Sequence, residues 1–441
     1  MSMVVKNNMS AVSTLNTLNK NSSALASSLK KVSSGMKINS AADDASGYAI
    51  SERMRVQIRG LDQAKQNTQN GTSMMKVAEG AVSSTVDILK TLKEKVINAA
   101  NDTNTDADRQ TIQKELDQSI DQIDDNANVT YNGKYLVDGS HNSKTTATTT
   151  ALTNESLDAK TVEGSALTAI KNRSGESLNI HSTDNVTISY VKEGKTYSTT
   201  FQVGSNTLKA ALEKTAYNGK ETLSNALKVR ASTATAVIGK DGSGNTITTA
   251  DNGCAITLTA KTAGVDSQIS GFTISITTNK GNVNKSANAV LDNFSESIRA
   301  QNKSEDNSFS LQVGTKANQS IKVGLTDMRS QALGLKGANG QTLNVSTQVK
   351  ANAAINVLDN AVQKALDQQT TIGSVESRLS YTSSNLTTAS ENVQSSESTI
   401  RDANMAKEMT EYTKNNVLMQ AAQSMLAQAN QNSSNVLSLL Q

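Results

Sequence analysis

The chain has 441 residues and a formal net charge of +3, and it contains two histidines, one cysteine and no proline. This length allows roughly two to four domains. The small net charge gives no electrostatic footprint for nucleic-acid binding, and a single cysteine excludes an intrachain disulfide and a multi-cysteine metal site. Because proline breaks helix interiors, its absence suits very long helices.

Residues 4–36 are predicted to form one amphipathic helix. Asparagine, serine and lysine occupy its polar face, and nucleation is costly for such poor helix formers. We therefore expect this helix to be disordered in the monomer and to fold when it packs against copies of itself. Its apolar face keeps spacings of four and three at Leu18, Ser22, Leu25, Leu29, Val32 and Met36.

The next helix is predicted over about residues 45–100, after a glycine stop and an extended segment in which Asp43 or Asp44 can cap it. Its apolar and small residues alternate spacings of three and four, which is the pattern of a coiled-coil seam. The seam positions are Leu61, Ala64, Thr68, Gly71, Met75, Ala78, Val82, Thr85, Leu89, Leu92, Val96 and Ala99. After a turn, a second helix with Ile112, Leu116, Ile120 and Ile123 on one face is expected to pack antiparallel to it.

The middle of the chain is predicted to be an α+β insert, since its composition changes to Thr, Ser, Asn and Gly from about residue 143. A tight turn at Asn132-Gly133 and a short strand at Leu136-Val137 precede it. The predicted elements of the insert and its exit are a hairpin over 186–190 and 197–201, a helix over 208–215, strands around 234–239, 255–260 and 272–277, and a last hairpin over 309–313 and 321–325.

The return helix is predicted from Ser346 to near the end, with an interruption before Ile400. It carries a second seam, at Val375, Leu379, Thr382, Leu386, Ala389, Val393, Ser396, Ile400 and Ala403. Its last section, from Val417 to Leu426, is apolar over a wide arc, as expected when several neighbours touch one helix. Two seams separated by a long insert imply that the chain leaves the helical bundle and returns to close it, which indicates an assembling subunit rather than an enzyme.

The predicted fold class is mainly α: a long antiparallel coiled-coil bundle built from both termini, with a central α+β insert and short β-hairpins. The predicted segments are an N-terminal helix (1–40), the N-terminal part of the helical domain with a hairpin (41–142), the insert (143–306), the C-terminal part of the helical domain (307–401) and a C-terminal helix (402–441).

No catalytic, cofactor or metal site is predicted. His141 and His181 lie in polar, loop-like sequence away from any metal-binding motif, and we interpret both as solvated surface residues. The paired acids Asp43/Asp44 and Asp124/Asp125 are interpreted as helix caps and solvated groups. No apolar run reaches membrane-spanning length, and the N-terminus lacks the pattern of a cleaved signal peptide. The chain is therefore expected to be cytoplasmic or to leave the cell by a route that uses no cleaved signal peptide.

Residues 34–47, which read SGMKINSAADDASG, resemble the N-terminal region of bacterial flagellin. The likeness continues through Gly60-Leu61, Gln63-Ala64, Asn70-Gly71 and Glu79-Gly80-Ala81. At the other end, residues 425–430 (MLAQAN) and 435–440 (NVLSLL) are similar to the flagellin C-terminus, and 311–314 (LQVG) and 327–329 (DMR) to the approach to it. The resemblance covers roughly the first 140 and the last 130 residues; the middle third matches no family.

This resemblance implies a homo-polymer, the extracellular flagellar filament, built for motility. Segments like 1–36 and 402–441 would form an inner tube, segments like 45–140 and 308–398 a surrounding tube, and the insert would project outward. Secretion through the flagellar export apparatus, an export chaperone on the C-terminal helix, and cap and hook-junction proteins as neighbours are implied as well. The implied assembly contacts are Leu18, Leu25, Leu29, Val32, Leu418, Met419, Met425, Leu426, Leu437 and Leu440.

Flagellins are also recognised by a vertebrate Toll-like receptor, through helices that match residues 89–116 here. This chain keeps Glu94 and Glu115 but has Thr91, Lys95 and Asn98 where Arg, Leu and Gln are typical. Loss of an arginine removes a multidentate, stackable anchor. We therefore expect weak receptor signalling.

Three alternatives remain open at this point. A hook–filament junction protein shares the terminal helices and would differ in copy number. A filament protein with enzymatic activity in residues 143–306, or one whose insert binds host glycans, would show that activity in the insert. The Ser- and Thr-rich sequence of the insert does not distinguish acceptors of O-linked sugars from solvated loops.

Overall fold

The computed structural model describes residues 8–439 except 159, 163, 214–226, 232–236 and 249–253. The chain divides into two compact units. The first comprises Met1–Thr68, Gln312–Gln319 and Tyr381–Gln441, and the second comprises Gln69–Leu311 and Ser320–Ser380. The five predicted segments are a finer division, which stays a prediction.

Five long helices account for most of the two ends of the chain, as predicted: α1 (Met9–Ser34), α2 (Ala45–Ala99), α3 (Asp106–Ala127), α7 (Gln348–Arg401) and α8 (Met405–Leu439). These helices confirm the mainly α fold class. No helix among the described residues has a stretch long and apolar enough to cross a membrane.

The seam of α2 is confirmed at every position, because all twelve predicted residues are buried. Leu61 and Ala64 pack with Leu386 in the first unit, with Ala389 and Val393 beside them. The second seam is less complete: Leu379 is buried, but Ser396 is exposed. The best buried part of α7 lies instead near its start, from Ala351 to Ala365.

The predicted interruption before Ile400 was wrong in position, since α7 continues to Arg401 and the break falls at residues 402–404. The break lies there because the backbone pairs with another segment: Met36 and Asp402 form an antiparallel bridge. Asn404 then starts α8 by accepting a hydrogen bond from the Lys407 amide at 3.2 Å.

Both predicted acidic residues act at the start of α2, but in different ways. Asp44 Oδ1 accepts the Ser46 and Gly47 amides at 3.0 Å each and caps the helix. Asp43 Oδ2 accepts the Asn39 and Ser40 amides and so shapes the preceding loop. These backbone hydrogen bonds lower the pKa of Asp43.

The second unit contains the insert, which is built on two antiparallel sheets. The three-stranded sheet has the order β10 (Ile269–Thr277), β4 (Asn185–Lys192), β5 (Lys195–Gln202). The four-stranded sheet has the order β11 (Ser295–Ile298), β3 (Ala151–Leu157), β9 (Cys254–Thr259), β6 (Leu227–Ala231). A core that includes Phe272, Leu152, Ile188 and Leu258 draws residues from both sheets.

The shorter elements of the second unit complete its description. They are α4 (Leu208–Glu213), β7 (Val237–Lys240), β8 (Thr246–Thr248), α5 (Lys285–Leu291), α6 (Ser330–Leu333) and the 3-10 helices Leu167–Ala169 and Val265–Ser267. Two further hairpins pair β1 (Thr130–Tyr131) with β2 (Lys134–Tyr135), and β12 (Phe309–Gln312) with β13 (Ser320–Val323).

Most predicted insert elements are confirmed, with several corrections. The turn at Asn132-Gly133 has φ values of 50° and 76°, but Leu136 and Val137 are buried outside any strand. The strand predicted around 234–239 begins at Val237, and 234–236 lie outside the described residues, as do 214–215 of the predicted helix. Strands β3, β6, β8 and β11, helices α5 and α6 and the two 3-10 helices were not predicted.

Side-chain amides and a carboxylate close the free edge of β10. From α7, Asn356 Nδ2 donates to the Phe272 carbonyl at 3.0 Å and Asn360 Nδ2 donates to the Ser270 carbonyl at 2.9 Å. From the region of α5, Asp292 Oδ1 accepts the Ile274 amide and Asn288 Oδ1 accepts the Ile276 amide. Successive positions along the strand edge are thus satisfied without a fourth strand, which protects the edge from pairing with another chain.

Candidate assembly surface

The terminal helices α1 and α8 pack against each other in an antiparallel pair within the first unit. Asn8 Nδ2 donates to the Ala429 carbonyl at 3.1 Å, and Asn21 Nδ2 donates to the Leu418 carbonyl at 3.3 Å. Nearer the other end of α1, Asn415 Nδ2 donates to Ser28 Oγ at 3.2 Å. Asn8 at the N-terminus of α1, Asn21 within α1 and Asn415 on α8 thus connect the two helices by side-chain hydrogen bonds.

Small residues line the interior of this pair. Ser28 is 7 % exposed and Ala422 is 6 % exposed, and they are the buried residues of the two helices among those whose side chains are described. Small side chains bury little apolar area, so this contact contributes much less than a leucine-lined one would.

The large apolar side chains of the pair lie mostly on its outside. Of the predicted assembly residues, Leu29 is 51 % exposed, Leu418 42 % and Met425 62 %. The predicted residues Leu18, Leu25, Val32, Met419 and Leu426 are half-buried. The side chain of Leu437 and the whole of Leu440 lie outside the described part of the chain.

Further exposed apolar residues extend this surface beyond the predicted set. Met9, Val12 and Leu15 on α1 are 70 %, 49 % and 45 % exposed, and Val417 on α8 is 58 % exposed. Spacings of three residues continue from Leu18 back to Met9, and this signal could have identified them. We call the exposed apolar residues of α1 and α8 the terminal apolar surface.

Two linkers connect this helix pair to the rest of the first unit, and they meet. Gly35, with φ of 70°, ends α1 in the left-handed conformation that glycine adopts readily. The Lys37 amide donates to the Arg401 carbonyl at 2.7 Å, and the Ala403 amide donates to the Gly35 carbonyl at 2.9 Å. The end of α1 and the start of α8 are therefore fixed side by side, in what we call the joint (residues 35–37 and 401–403).

The candidate receptor-facing positions lie on α2 and α3 in the second unit. Lys95 Nζ lies 2.9 Å from a carboxylate oxygen of Glu115, and both side chains are about half-exposed. Thr91 Oγ1 donates to the Asp87 carbonyl at 3.0 Å, and Asn98 Oδ1 accepts from Asn104 Nδ2 at 3.0 Å. All four side chains therefore already have intramolecular partners.

The predicted histidines and acids have structural partners. His181 is exposed, as predicted, whereas His141 is half-buried, with its ring centroid 3.9 Å from that of Phe309. Asp124 is not merely solvated: its carboxylate accepts the amide and hydroxyl of Ser330, both at 2.8 Å, at the start of α6. Within the described residues, no three His, Cys, Asp or Glu side chains cluster as a metal site.

Comparisons with known proteins agree with these features. Residues 5–142 match the bacterial flagellin N-terminal helical region and residues 355–440 match the bacterial flagellin C-terminal helical region. The chain is 33 % identical to a flagellin of Clostridium tyrobutyricum, over 97 % of this chain and 99 % of that protein. It is 30 % identical to a flagellin of Bacillus subtilis, over 99 % of this chain and 100 % of that protein.

Among solved structures, the chain is similar to flagellar hook-associated protein 3 of Legionella pneumophila, with a TM-score of 0.34 and 13 % identity, over 78 % of this chain and 97 % of that one. A similarity this low does not separate filament subunits from junction proteins.

Proposed function

The chain belongs to the bacterial flagellin family, whose members are structural subunits of the extracellular flagellar filament, and we propose that its terminal apolar surface makes the contacts between subunits. The observation that carries this proposal is the exposure of large apolar side chains on α1 and α8, up to 70 % at Met9 and 62 % at Met425. Scattered exposed leucines are ordinary, but here they concentrate on one helix pair. Burial of such side chains contributes about 1.5–3 kcal/mol each.

The contacts proposed are heterologous, because the filament that this family forms is an open polymer. Contacts of one surface with a different surface of the next copy do not close on themselves, and they give an open helical polymer. The proposed contacts between subunits involve the predicted residues Leu18, Leu25, Leu29, Val32, Leu418, Met419, Met425, Leu426, Leu437 and Leu440, together with the exposed residues Met9, Val12, Leu15 and Val417.

The remaining segments have supporting roles in the proposal. Residues 1–40 and 402–441 form the inner tube, 41–142 and 307–401 form the surrounding tube, and 143–306 project outward. The insert suits an outward position, because it has its own apolar core and needs no neighbour to bury it. The hook-junction alternative is no better supported than the filament subunit, and the copy number of the protein in sheared surface material separates the two.

Export through the flagellar secretion apparatus is proposed as the route to the filament. A chaperone that covers α8 before assembly fits its exposed apolar residues, since large uncovered apolar patches promote aggregation. Cap and hook-junction proteins are the other proposed neighbours of the polymer.

Recognition by a Toll-like receptor is proposed to be weak. The 2.9 Å ion pair of Lys95 with Glu115 supports this, because a receptor would have to compete for a carboxylate that already has a partner. Thr91 and Asn98 are also shorter than the residues typical at those positions. A reporter-cell assay that gave the potency of a strongly recognised flagellin would contradict the proposal.

The test of the assembly proposal is seeded growth followed by negative-stain electron microscopy. The full-length chain is compared with a truncation that lacks residues 402–441, and with the variant Met425→Ser. Ser27→Ala, an exposed polar position on α1, is the matched control. We expect long filaments from the full-length chain and the control, none from the truncation, and at least tenfold slower growth from Met425→Ser, because about 1.4 kcal/mol of lost burial corresponds to tenfold. Growth of the truncation at the full-length rate would refute the proposal.

A further inference from the structure

Four polar side chains in the first half of α7 contact the insert. Spacings of four, four and three residues place them on the same side of the helix. Burial of polar groups is costly unless each is hydrogen-bonded or paired, so the contacts of each one decide what this side of α7 does. We call these residues the docking stripe: Asn356, Asn360, Lys364 and Asp367.

The two asparagines of the docking stripe hold the edge of strand β10. Asn356 and Asn360 each donate a side-chain amide to a backbone carbonyl of that strand. Between these two hydrogen bonds the strand touches the helix: a Cβ atom on Gly271 would lie 2.7 Å from Val357 Cγ2 and 3.0 Å from the Val357 amide nitrogen. The strand therefore lies against α7 at a distance that a residue without a side chain permits.

Lys364 is buried, and its ammonium group has three acceptors. Its side chain is 9 % exposed, and that of Glu296 in β11 is 7 % exposed. The Nζ atom donates to Gln268 Oε1 at 3.3 Å and to the Ala332 carbonyl at 3.4 Å, and it lies 3.5 Å from Glu296 Oε1. The three donors of the ammonium group thus meet three oxygen atoms, which offsets the cost of burying the charge.

A second ion pair continues from Glu296 and returns to α7. Arg299, the residue after β11, has its Nε 3.6 Å from Glu296 Oε2, and its Nη2 pairs with Asp367 Oδ2. Positive and negative groups therefore alternate from Lys364 to Asp367, and the four formal charges cancel. Two of these groups lie on α7 and two lie in or next to β11, so the network joins the helix to the insert.

The insert also contacts the segment just before α7. At the tip of the hairpin between β4 and β5, a Cβ atom on Gly194 would lie 2.2 Å from the Gln341 carbonyl oxygen. A Cβ atom on Gly337 would lie 2.2 Å from the Glu193 carbonyl oxygen. Glycine at both positions lets the two backbones approach this closely. The hairpin tip, the edge of β10 and the end of β11 are thus three separate places at which the insert is held.

The polar contacts fit one arrangement of the insert on the helix. Two connecting segments join the insert to the helical part, and they pair with each other at Thr145 with Ser304 and Thr148 with Gln301. These two connections alone would leave the insert free to pivot. A shift of one helical turn along α7 would separate a buried ammonium group from a buried carboxylate, which is strongly unfavourable. A buried polar pair can fix register in this way, as a single polar position does in a coiled coil.

We propose that the docking stripe fixes the insert in one orientation on α7, with Lys364 and Glu296 as the pair that sets the register, so that the insert is a rigid arm. Both are positioning residues. Folding of the insert depends on its own apolar core, whereas its orientation depends on the stripe. This orientation is a property of the single chain, and only the outward position of the arm in a filament rests on the assembly function proposed above.

The experiment measures distances between pairs of nitroxide spin labels in the full-length chain by double electron–electron resonance. Cys254 is first replaced by serine, so that labels attach only to introduced cysteines. One label is placed on α2 at Lys90, and the other on the insert, at Lys285 in one sample and at Ser174 in a second; all three positions are exposed. We expect one narrow distance distribution for each pair, because a rigid arm keeps the two labels at a fixed separation.

Three variants test the docking stripe. Lys364→Met should at least double the width of both distributions, because it leaves the Glu296 carboxylate without its buried partner. Gly271→Ala should shift the mean distances, because the added methyl group forces β10 away from α7. Lys350→Met is the matched control, since this lysine of the same helix donates to Ser346 Oγ at 3.2 Å, before the stripe begins. It should leave both distributions unchanged.

Hydrogen exchange separates a change of orientation from unfolding of the insert. Amides of β4, the middle strand of the three-stranded sheet, should keep their wild-type exchange rates in Lys364→Met. Faster exchange there would show that Lys364 stabilises the fold of the insert itself, and would overturn its role in orientation.

The remaining outcomes distinguish this inference from the assembly proposal. Broad distributions in the wild-type chain, or distributions that neither Lys364→Met nor Gly271→Ala changes, would overturn the rigid arm even if filaments grow normally. A narrow wild-type distribution that broadens in Lys364→Met while β4 stays protected supports the rigid arm. It does so even in a chain that adds to no filament seed, a result that would overturn the assembly function alone.

Discussion

The insert and the terminal helix pair use their apolar residues in opposite ways. In the insert, Phe272, Leu152 and Leu258 are each 1 % exposed. In the helix pair, Met9, Leu29 and Met425 are 51–70 % exposed, although their sequence is just as clearly patterned. The insert therefore buries its own core, while the helix pair leaves its largest side chains uncovered in the single chain. If these side chains make the proposed contacts between copies, stability of the monomer and capacity to assemble are located in different parts of one chain.

The largest expected effect tests whether the insert stabilises the monomer more than the helix pair does. Phe272→Ala should destabilise the monomer by about 3–5 kcal/mol, because it empties a fully buried aromatic site. Leu29→Ala should change the free energy of unfolding by less than about 0.5 kcal/mol, because the side chain is exposed in the monomer, and yet it should slow filament growth. Denaturant unfolding of monomers and seeded growth of both variants measure these effects.

A large loss of monomer stability in Leu29→Ala would show that α1 contributes to the folded monomer, against the comparison. A growth rate of Leu29→Ala equal to the wild-type rate would remove this leucine from the assembly contacts. Phe272→Ala should be studied at low denaturant, where enough folded monomer remains for growth to be measured.

The second expected effect concerns a buried carboxyl group in the insert. Burial raises the pKa of Asp292 to about 7, and the hydrogen bond from the Ile274 amide opposes this shift. The folded state thus holds the proton more tightly than the unfolded state. Its contribution to stability is full below about pH 4 and is lost as the pH rises to about 7, by about 2–4 kcal/mol in total.

Asp292→Asn tests this directly, because the amide oxygen can still accept the Ile274 amide but does not ionise. We expect the variant to be more stable than the wild-type chain at pH 8 by most of that amount, and similar to it at pH 3.5. Urea unfolding at the two pH values is the measurement. Equal pH dependence of both chains would show that the carboxylate is better solvated than its burial indicates. The helix pair should not contribute to this difference.

The sequence predicted one seam residue by residue but missed several strands, and the reasons are physical. The α2 seam was readable because periodic burial over 55 residues leaves a periodic pattern. Strand β3 was hidden because Asn154 points into the core, where its Nδ2 donates to the carbonyls of Val290 and Leu291. In β11, Glu296 is buried beside Lys364, at 3.5 Å. Inward polar side chains break the alternation on which a strand prediction depends.

The joint and the exposure of the helix pair also depend on information that a local pattern does not carry. No glycine lies near the break at residues 402–404, because the break is set by pairing with Gly35 and Lys37, more than 360 residues away in sequence. The candidate assembly residues could be predicted as apolar positions of a helix. Which of them lie inside the pair and which outside could not, because the answer depends on how α1 and α8 are aligned along each other.

The smallest expected effect compares two asparagines that make the same kind of hydrogen bond in the two regions. Asn356 Nδ2 donates to the Phe272 carbonyl at the partly buried edge of the insert sheet, and Asn21 Nδ2 donates to the Leu418 carbonyl at the exposed surface of the helix pair. Asn356→Ala should cost about 1–2 kcal/mol, since it leaves a carbonyl without its partner. Asn21→Ala should cost less than about 0.5 kcal/mol, because water replaces the amide and alanine is the better helix former. Thermal unfolding of the two monomeric variants measures the difference. Equal losses of stability would mean that the helix pair is as well packed as the insert, and would contradict the difference drawn here between the two regions.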